Sequence, residues 1–210
     1  MIKVIIADDH PIVRAGLKQI ITEEHDISVA GEAGNGAELL SWVRRQDYDV
    51  ILLDLSMPGM DGLDVLKQIK IEKPHIPVII LTIHPESQYA LRILKAGASG
   101  YLTKESASDE LIKAIRKVNA GGKYISPSLA EKIAFALDED TGKLPHETLS
   151  DREYQVLCLI GSGKTVSQIA DALALSVKTV STYRTRILEK MRMENTAELM
   201  HYAVQNRLVE

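Results

Sequence analysis

The 210-residue sequence predicts an α/β domain built on a five-stranded, doubly wound parallel sheet, followed by a small all-α domain of four helices. Three observations predict it. Over residues 1–120, short β-branched apolar runs alternate with longer amphipathic segments. The apolar runs lack the polar alternation of a half-exposed strand, so they read as strands covered on both faces. After residue 148 such runs disappear and only capped helical segments remain.

Ile2–Ala7 is the first strand run; Ile27–Gly31, Val50–Leu53, Val78–Leu81 and the weaker Gly100–Leu102 follow. The amphipathic segments are Pro11–Glu23, Gly36–Arg45, Gly62–Lys70, Ser87–Ala96 and Ser106–Ala120, the last with Leu111, Ile112, Ile115 and Val118 at helical spacing. Alternating strands and helices imply parallel strands joined by right-handed crossovers. Sites on such sheets lie outside the carboxyl ends of the strands.

Ala120-Gly121-Gly122 breaks the last of these helices. Ser126 as N-cap and Pro127 at the first position predict a helix over 127–137, and the acidic, then Gly- and Pro-containing stretch Asp138–Pro145 reads as a linker. Ser150 and Glu153 form a capping box for a helix running to about Ile160, which Gly161-Ser162-Gly163 ends. Thr165 and Gln168 form a second box, opening a short helix through Leu173. Ser176 caps a longer helix to about Met191, and Thr196–Gln205 is the fourth. Two short capped helices before a longer basic one predict a helix-turn-helix. The expected division is 1–120, a linker over 121–147, and 148–210.

Apolar residues make up 45% and charged residues 26%, enough for two cores, and the net charge of −4 excludes a global basic field. Residues 1–120 carry 14 Lys/Arg against 17 Asp/Glu, while residues 143–210 carry 9 against 8, so basic charge shifts toward the C-terminal half. The one cysteine, Cys158, excludes an intramolecular disulfide or cysteine metal cluster and reads as a small core residue. With no signal-peptide pattern and no apolar run of the roughly 18 residues a bilayer span needs, a cytoplasmic protein without a membrane partner is expected.

Asp8-Asp9 closes the first strand, Asp54 the third and Thr82 the fourth, and Lys104 follows the fifth. The strand-end rule brings all five to one rim. Three carboxylates there repel one another unless a cation intervenes, and an oxygen-only set favours Mg²⁺ (or Mn²⁺) over zinc. Lys104 adds a compact charge suited to a phosphate oxygen, and Thr82 a hydroxyl donor. The set describes phosphoryl transfer with a carboxylate nucleophile. Taken singly, each residue reads as a cap, a solvated side chain or, for Tyr101, core packing; their joint placement at the strand ends reverses that.

Asp8-Asp9, Asp54 followed by Met57-Pro58-Gly59-Met60-Asp61-Gly62, Thr82, and Lys104 with Tyr101 three positions before it resemble, complete and in order, the receiver domain of two-component response regulators. The resemblance implies a flavodoxin-like strand order, Asp54 as phospho-acceptor from a sensor histidine kinase or a small acyl phosphate, and Mg²⁺ held by Asp8, Asp9, Asp54 and the main-chain carbonyl of Ser56. It implies Thr82 and Lys104 as contacts to the phosphoryl group and Tyr101 as a rotating aromatic switch. Ser56 and His84 are then the positions that face the hydrolytic water.

The helix after Ser176 carries Lys178, Arg184, Arg186, Lys190 and Arg192 against Glu189 alone. Val180, Ile187 and Met191 share one stripe, flanked by Val177 and Leu188, which must pack inward. The opposite face presents Lys178, Ser181, Thr182 and Thr185, with Thr179 and Arg186 toward one edge. Cations hold phosphates, and short hydroxyls and Arg reach base edges in a major groove. Arg184 falls near the apolar stripe, so its stem is expected to be partly buried.

Leu149-Ser150-Asp151-Arg152-Glu153, Val156-Leu157, Gly163, Ile169-Ala170, Leu173, Ser176, Lys178-Thr179-Val180, Ile187 and Lys190-Met191 resemble the LuxR-type output domain of the NarL/FixJ class. The two resemblances together imply a phosphorylation-dependent transcriptional regulator rather than an enzyme, with promoter DNA, a second copy on phosphorylation, and RNA polymerase as candidate partners. They imply that phosphorylation shifts receiver conformation and oligomeric state. Ser181-Thr182-Tyr183 departs from the family, in which many members carry histidine at the position of Tyr183 after a lysine or arginine at Ser181, so base preference does not carry over.

Three other readings have less support. Gly161-Ser162-Gly163-Lys164-Thr165 resembles the tail of a P-loop, but Cys158 stands where its first glycine belongs and a helix precedes it. An aspartyl phosphatase would usually carry a D-x-D on one strand, whereas Asp8-Asp9 are adjacent and Asp54 lies on another. An output domain for protein or RNA would separate from a DNA reader in a gel shift. The acidic receiver and linker beside a basic helix suggest that the unphosphorylated receiver masks that helix or disfavours dimers.

Overall fold

The computed structural model describes residues 1–82, 86–127, 130, 144–206 and 208–209. His84, and the helix expected over 127–137 apart from Pro127 and Ala130, lie outside them. The chain divides into two compact units, Met1–Lys132 and Ile133–Glu210.

In the first unit the strands are β1 (Ile2–Ala7), β2 (Ile27–Ala33), β3 (Val50–Asp54), β4 (Val78–Thr82) and β5 (Gly100–Thr103). The helices are α1 (Pro11–Thr22), α2 (Gly36–Arg45), α3 (Gly62–Glu72), α4 (Glu86–Lys95) and α5 (Ala107–Asn119). All strand pairs are parallel, in the order β2-β1-β3-β4-β5. The chain therefore reverses its direction of winding between β1 and β3, and a crevice opens at their carboxyl ends.

β2 to β5 each run one or two residues past the apolar stretch that marks them in the sequence, because the next polar residue still joins the ladder: Asp54 pairs with Leu81 and Thr82 with Thr103. β3 and β4 are buried along their whole length, as expected of central strands. β2 departs from that expectation: it is an edge strand paired with β1 alone, and Ser28 and Glu32 are only half-buried. Val4, Ile6, Leu52 and Leu81 face Leu17, Ile21, Leu111, Ile115 and Val118 in one core on the α1 and α5 side. Ile5, Leu53 and Ile80 alternate with that set along their strands, while Leu39, Val43, Leu66 and Ile69 of α2 and α3 are buried as well. Beyond α5 the chain returns to the sheet: Tyr124 bridges Gly100, donating to Ser99 O and accepting from Tyr101 N.

The second unit contains, after a 3₁₀ turn at Pro145–Thr148 that the sequence did not announce, α6 (Asp151–Gly161), α7 (Val166–Ala172), α8 (Val177–Met191) and α9 (Thr196–Gln205). Both expected capping boxes form, Ser150 with Glu153 and Thr165 with Gln168, and Ser176 and Asn195 cap α8 and α9. Each cap satisfies main-chain N–H groups that a helix start leaves orphaned, worth about 1 kcal/mol. Val156, Leu157, Ile160, Ile169, Val180, Ile187, Leu199 and Ala203 are among its buried residues, as is Cys158.

Gly62 packs against the main chain at the end of β3, where Asp54 stands. A Cβ there would lie 2.5 Å from Leu55 Cα and 2.8 Å from the Asp54 carbonyl oxygen, so only hydrogen fits. Gly62→Ala should cost about 1–3 kcal/mol, the usual range for overpacking, seen as a lower urea midpoint.

Candidate functional site

Asp8 and Asp54 meet because their strands are neighbours in register. Ala7 pairs with Leu53, so the residue after each stands at the same level on adjacent parallel strands. Both carboxylates are 1% exposed. Asp8 is held by its main chain: its N–H donates to Ala33 O, and Arg14 from α1 donates to its carbonyl. Asp54 Oδ1 accepts from Ser56 N at 3.1 Å, a local turn that fixes the carboxylate plane. Asp61 Oδ1 caps α3 by accepting from Leu63 N.

Lys104 reaches in from the end of β5, its main-chain N–H bound to Thr82 O at 2.8 Å. Its Nζ donates to Asp54 Oδ2 at 2.9 Å and lies 2.7 Å from Asp8 Oδ2, the latter an ion contact without hydrogen-bond alignment. Burial pushes the Asp54 carboxyl above its ordinary value, and Lys104 offsets only part of that. Burial works against the charge of Lys104, but its pairing with Asp54 and then Asp8 outweighs this, so its ammonium is held above its ordinary value.

Thr82 closes β4 and is fully buried; Tyr101 lies opposite Ile80 within β5 and is almost as buried. The Ser56 side chain is exposed, with its N–H turned to Asp54. Asp8, Asp9 and Asp54 offer ligand atoms within 4.8 Å of one another, and His10 joins them. His10 escaped the sequence reading, since a lone histidine after a strand usually reads as solvated; the signal was its place directly after the Asp pair. Asp8 Oδ2 and Asp9 Oδ1 are buried acceptors with no aligned hydrogen bond. Lys104 lies 2.7 Å from the first and His10 Nδ1 2.8 Å from the second, yet three carboxylates still share the rim with one ammonium, an excess of negative charge that a bound cation would relieve. The donor set therefore fits a divalent ion.

On α8 the expected inward stripe of Val180, Ile187 and Met191 is buried. Lys178, Thr182, Thr185 and Arg186 are exposed, and Thr179 and Ser181 half-exposed. Thr182 Oγ1 donates to Lys178 O and Thr185 Oγ1 to Ser181 O. These hydroxyls thus spend their hydrogens on the helix and turn acceptor lone pairs outward. Lys178, Thr179, Thr182, Tyr183 and Arg186 line a surface hollow of about 310 Å³, which adds Tyr183 to the set read from the sequence. Arg184 is half-buried with its Nε enclosed, as its position near the stripe implied. Lys190 does not join the cationic face: its Nζ donates to the buried Glu153 at 2.6 Å, tying α8 to α6.

Residues 4–116 match the family described as response regulator receiver domain, and residues 147–203 that of bacterial regulatory proteins, luxR family. The chain is 37% identical over 209 residues to the response regulator UvrY of Escherichia coli K12, covering 99% of this chain and 96% of that protein. It is likewise 37% identical over 211 residues to the response regulator GacA of Pseudomonas aeruginosa, covering 100% and 99%. A solved structure of the Salmonella typhimurium response regulator RcsB is 30% identical, with 97% of this chain and 100% of that one covered and a TM-score of 0.62. RcsB bound to the promoter rprA with phosphomimetic BeF₃⁻ is 31% identical, covers 96% and 97%, and gives a TM-score of 0.65.

The raised Asp54 carboxyl has a measurable sign. The folded protein keeps a proton on Asp54 at pH values where the unfolded chain has lost it, so this stability is present below the ordinary value of 3.8 and is lost as pH rises through the folded one. Asp54→Asn removes that loss and leaves Lys104 paired with Asp8. In chelator at neutral pH the variant should unfold at a higher urea midpoint than wild type, and the two should converge in acid.

Proposed function

The chain belongs to the response regulators that join a receiver domain to a LuxR-family DNA-binding domain, and from that premise we propose that Asp54 is its phospho-acceptor and α8 its DNA-reading helix. It is a phosphorylation-dependent, DNA-binding transcription regulator and not an enzyme. We assign the receiver to 1–120, a linker to 121–147 and the DNA-binding domain to 148–210.

One observation carries the assignment of Asp54: the Lys104 ammonium bridges it to Asp8 at a single rim. Asp54 Oδ1 is pinned by the Ser56 N–H, which leaves the carboxylate in a fixed plane to attack a phosphoryl group. The phosphoryl donor is a sensor histidine kinase or a small acyl phosphate. Asp8, Asp9, Asp54 and the Ser56 carbonyl would hold Mg²⁺ or Mn²⁺. When bound, the ion neutralises charge on the phosphoryl oxygens. Lys104 exchanges a carboxylate partner for a phosphoryl oxygen, and the Thr82 hydroxyl donates to another. Asp54 loses its free carboxylate in that exchange, so the contacts that hold the rim are redrawn, and Tyr101, beneath it on β5, is placed to change rotamer with them. That shifts the population toward a state that dimerises and binds promoter DNA. The partners are the kinase, DNA and a second copy, with RNA polymerase a further candidate. Among the described residues no helix is long and apolar enough to cross a membrane.

Incubated with Mg²⁺ and acetyl phosphate, the intact protein should gain one phosphoryl mass, and Asp54→Ala should gain none. Equal labelling of the two would refute the assignment.

DNA binding should be steeply salt-dependent. Lys178→Ala and Arg186→Ala should each lower the slope of log affinity against log salt by about 0.9, the value for one lost phosphate contact. Thr182→Val should leave the slope and alter base preference, because its outward acceptor is removed while its charge contribution is nil. Fluorescence anisotropy over a salt series reads both.

A further inference from the structure

The main chain between Asp8 and Asp9 is held by a side chain that touches neither carboxylate. Arg14, in the first turn of α1, donates from Nη1 to the Asp8 carbonyl at 2.7 Å. Its side chain is 20% exposed, so water competes little for that bond. Its Nε lies 3.6 Å from Glu32 Oε2, an ion contact too long for a hydrogen bond. Glu32 Oε1 in turn accepts from Lys18 Nζ at 2.8 Å, and that bond holds its carboxyl below the ordinary value. Arg14 and Lys18 stand one turn apart on α1, so both reach the same carboxylate on β2.

The Asp8 carbonyl belongs to the peptide unit that joins the two acids. That unit is planar, so gripping its oxygen sets the direction in which Asp9 leaves. The unit before it is gripped as well, since the Asp8 N–H donates to Ala33 O, next along β2 from Glu32. The unit after it closes on the acid itself: the His10 N–H donates to Asp8 Oδ1 at 2.8 Å, and the Arg14 N–H donates to His10 O at 3.1 Å. Three successive peptide units at the end of β1 are therefore fixed, and the middle one by Arg14.

These contacts do something that charge alone does not. A fixed cation beside a metal site repels the metal, but the charge of Arg14 is matched by Glu32 and its hydrogen bond falls on main-chain oxygen, so the rim carboxylates are spared. Mg²⁺ demands near-ideal octahedral geometry, with ligands at about 2.0–2.1 Å, so its affinity depends on how well the ligand spacing is set beforehand. Groups that orient ligands without touching the ion set that spacing.

We propose that Arg14 is a positioning residue of the metal site: it holds the Asp8–Asp9 peptide, Glu32 holds its guanidinium, and together they set the affinity of the rim for Mg²⁺. The inference rests on reading the rim as the receiver's metal site.

The test measures Mg²⁺ binding itself, by calorimetry on the full-length protein with no phosphoryl donor present. Arg14→Met keeps an apolar stem, removes the guanidinium, and should weaken Mg²⁺ binding about tenfold or more. Arg14→Lys keeps the charge but loses the planar fork that spans Asp8 O and Glu32, and should weaken it about threefold. The sign of the effect separates this role from two simpler ones. Were Arg14 only a nearby cation, Arg14→Met would relieve repulsion and tighten Mg²⁺ binding. Were it only a tie between α1 and the sheet, Arg14→Met would lower the urea midpoint and leave Mg²⁺ affinity as in wild type. Either result overturns the proposal. If Arg14→Met does not fold, Arg14→Lys decides, and an affinity equal to wild type or tighter overturns it. A wild type that binds Mg²⁺ no better than Arg14→Met refutes the role of Arg14 alone; a wild type that binds no Mg²⁺ refutes the rim reading and the proposal together.

Discussion

Lys104 Nζ stands between Asp8 and Asp54, 2.7 Å from one carboxylate and 2.9 Å from the other, and the rest of the first unit is arranged around that contact. Two acids at the same level on adjacent strands would repel across a distance close to the strand spacing of about 4.8 Å. A single ammonium offsets that repulsion without filling the rim, and its main chain is anchored to Thr82 O so that it approaches from one side only. Burial still holds Asp54 above its ordinary value, which means the lysine does not fully compensate the acceptor. The rim is thus kept in an under-compensated state that the added positive charge of a bound metal ion would relieve.

The second unit is built on a different principle. Its helices are short, and propensity alone would leave them marginal, so capping boxes and a half-buried ion pair help to hold them. Glu153 illustrates the economy of this: it caps α6 by accepting from Ser150 N and also accepts from Lys190 on α8. Burial works to raise its carboxyl, but Lys190 and Ser150 more than offset that and hold it below its ordinary value. The same residue that starts the first helix therefore orients the basic one, leaving Lys178, Thr182, Thr185 and Arg186 facing outward.

Much of this was legible in the residues. The strand and helix order, the two capping boxes and the inward stripe of α8 follow from period and cap chemistry, which are local. Asp8, Asp9, Asp54, Thr82 and Lys104 were legible as a group because strand ends in a parallel sheet converge by topology. What escaped was what depends on side-chain direction. His10 reads as a solvated residue until its ring is seen turned to the acids, Lys190 is only one of the helix's cations until Glu153 is found beneath it, and Tyr183 joins the α8 hollow only in three dimensions. β2 reads as covered on both faces because its apolar run is like the others, and only strand order makes it an edge.

The sequence by itself determined which residues would stand at the rim and on the basic helix, since strand-end position and helical phase are properties of spacing along the chain. The tertiary structure decided how those residues are partnered. Pairing depends on registers and rotamers set between segments far apart in sequence, such as Ala7 against Leu53 and Lys104 against Asp54, fifty residues away. A charge count cannot reveal which oxygens of Asp8 face Lys104 and which face His10, because that division arises only when β1, β3 and β5 are brought side by side.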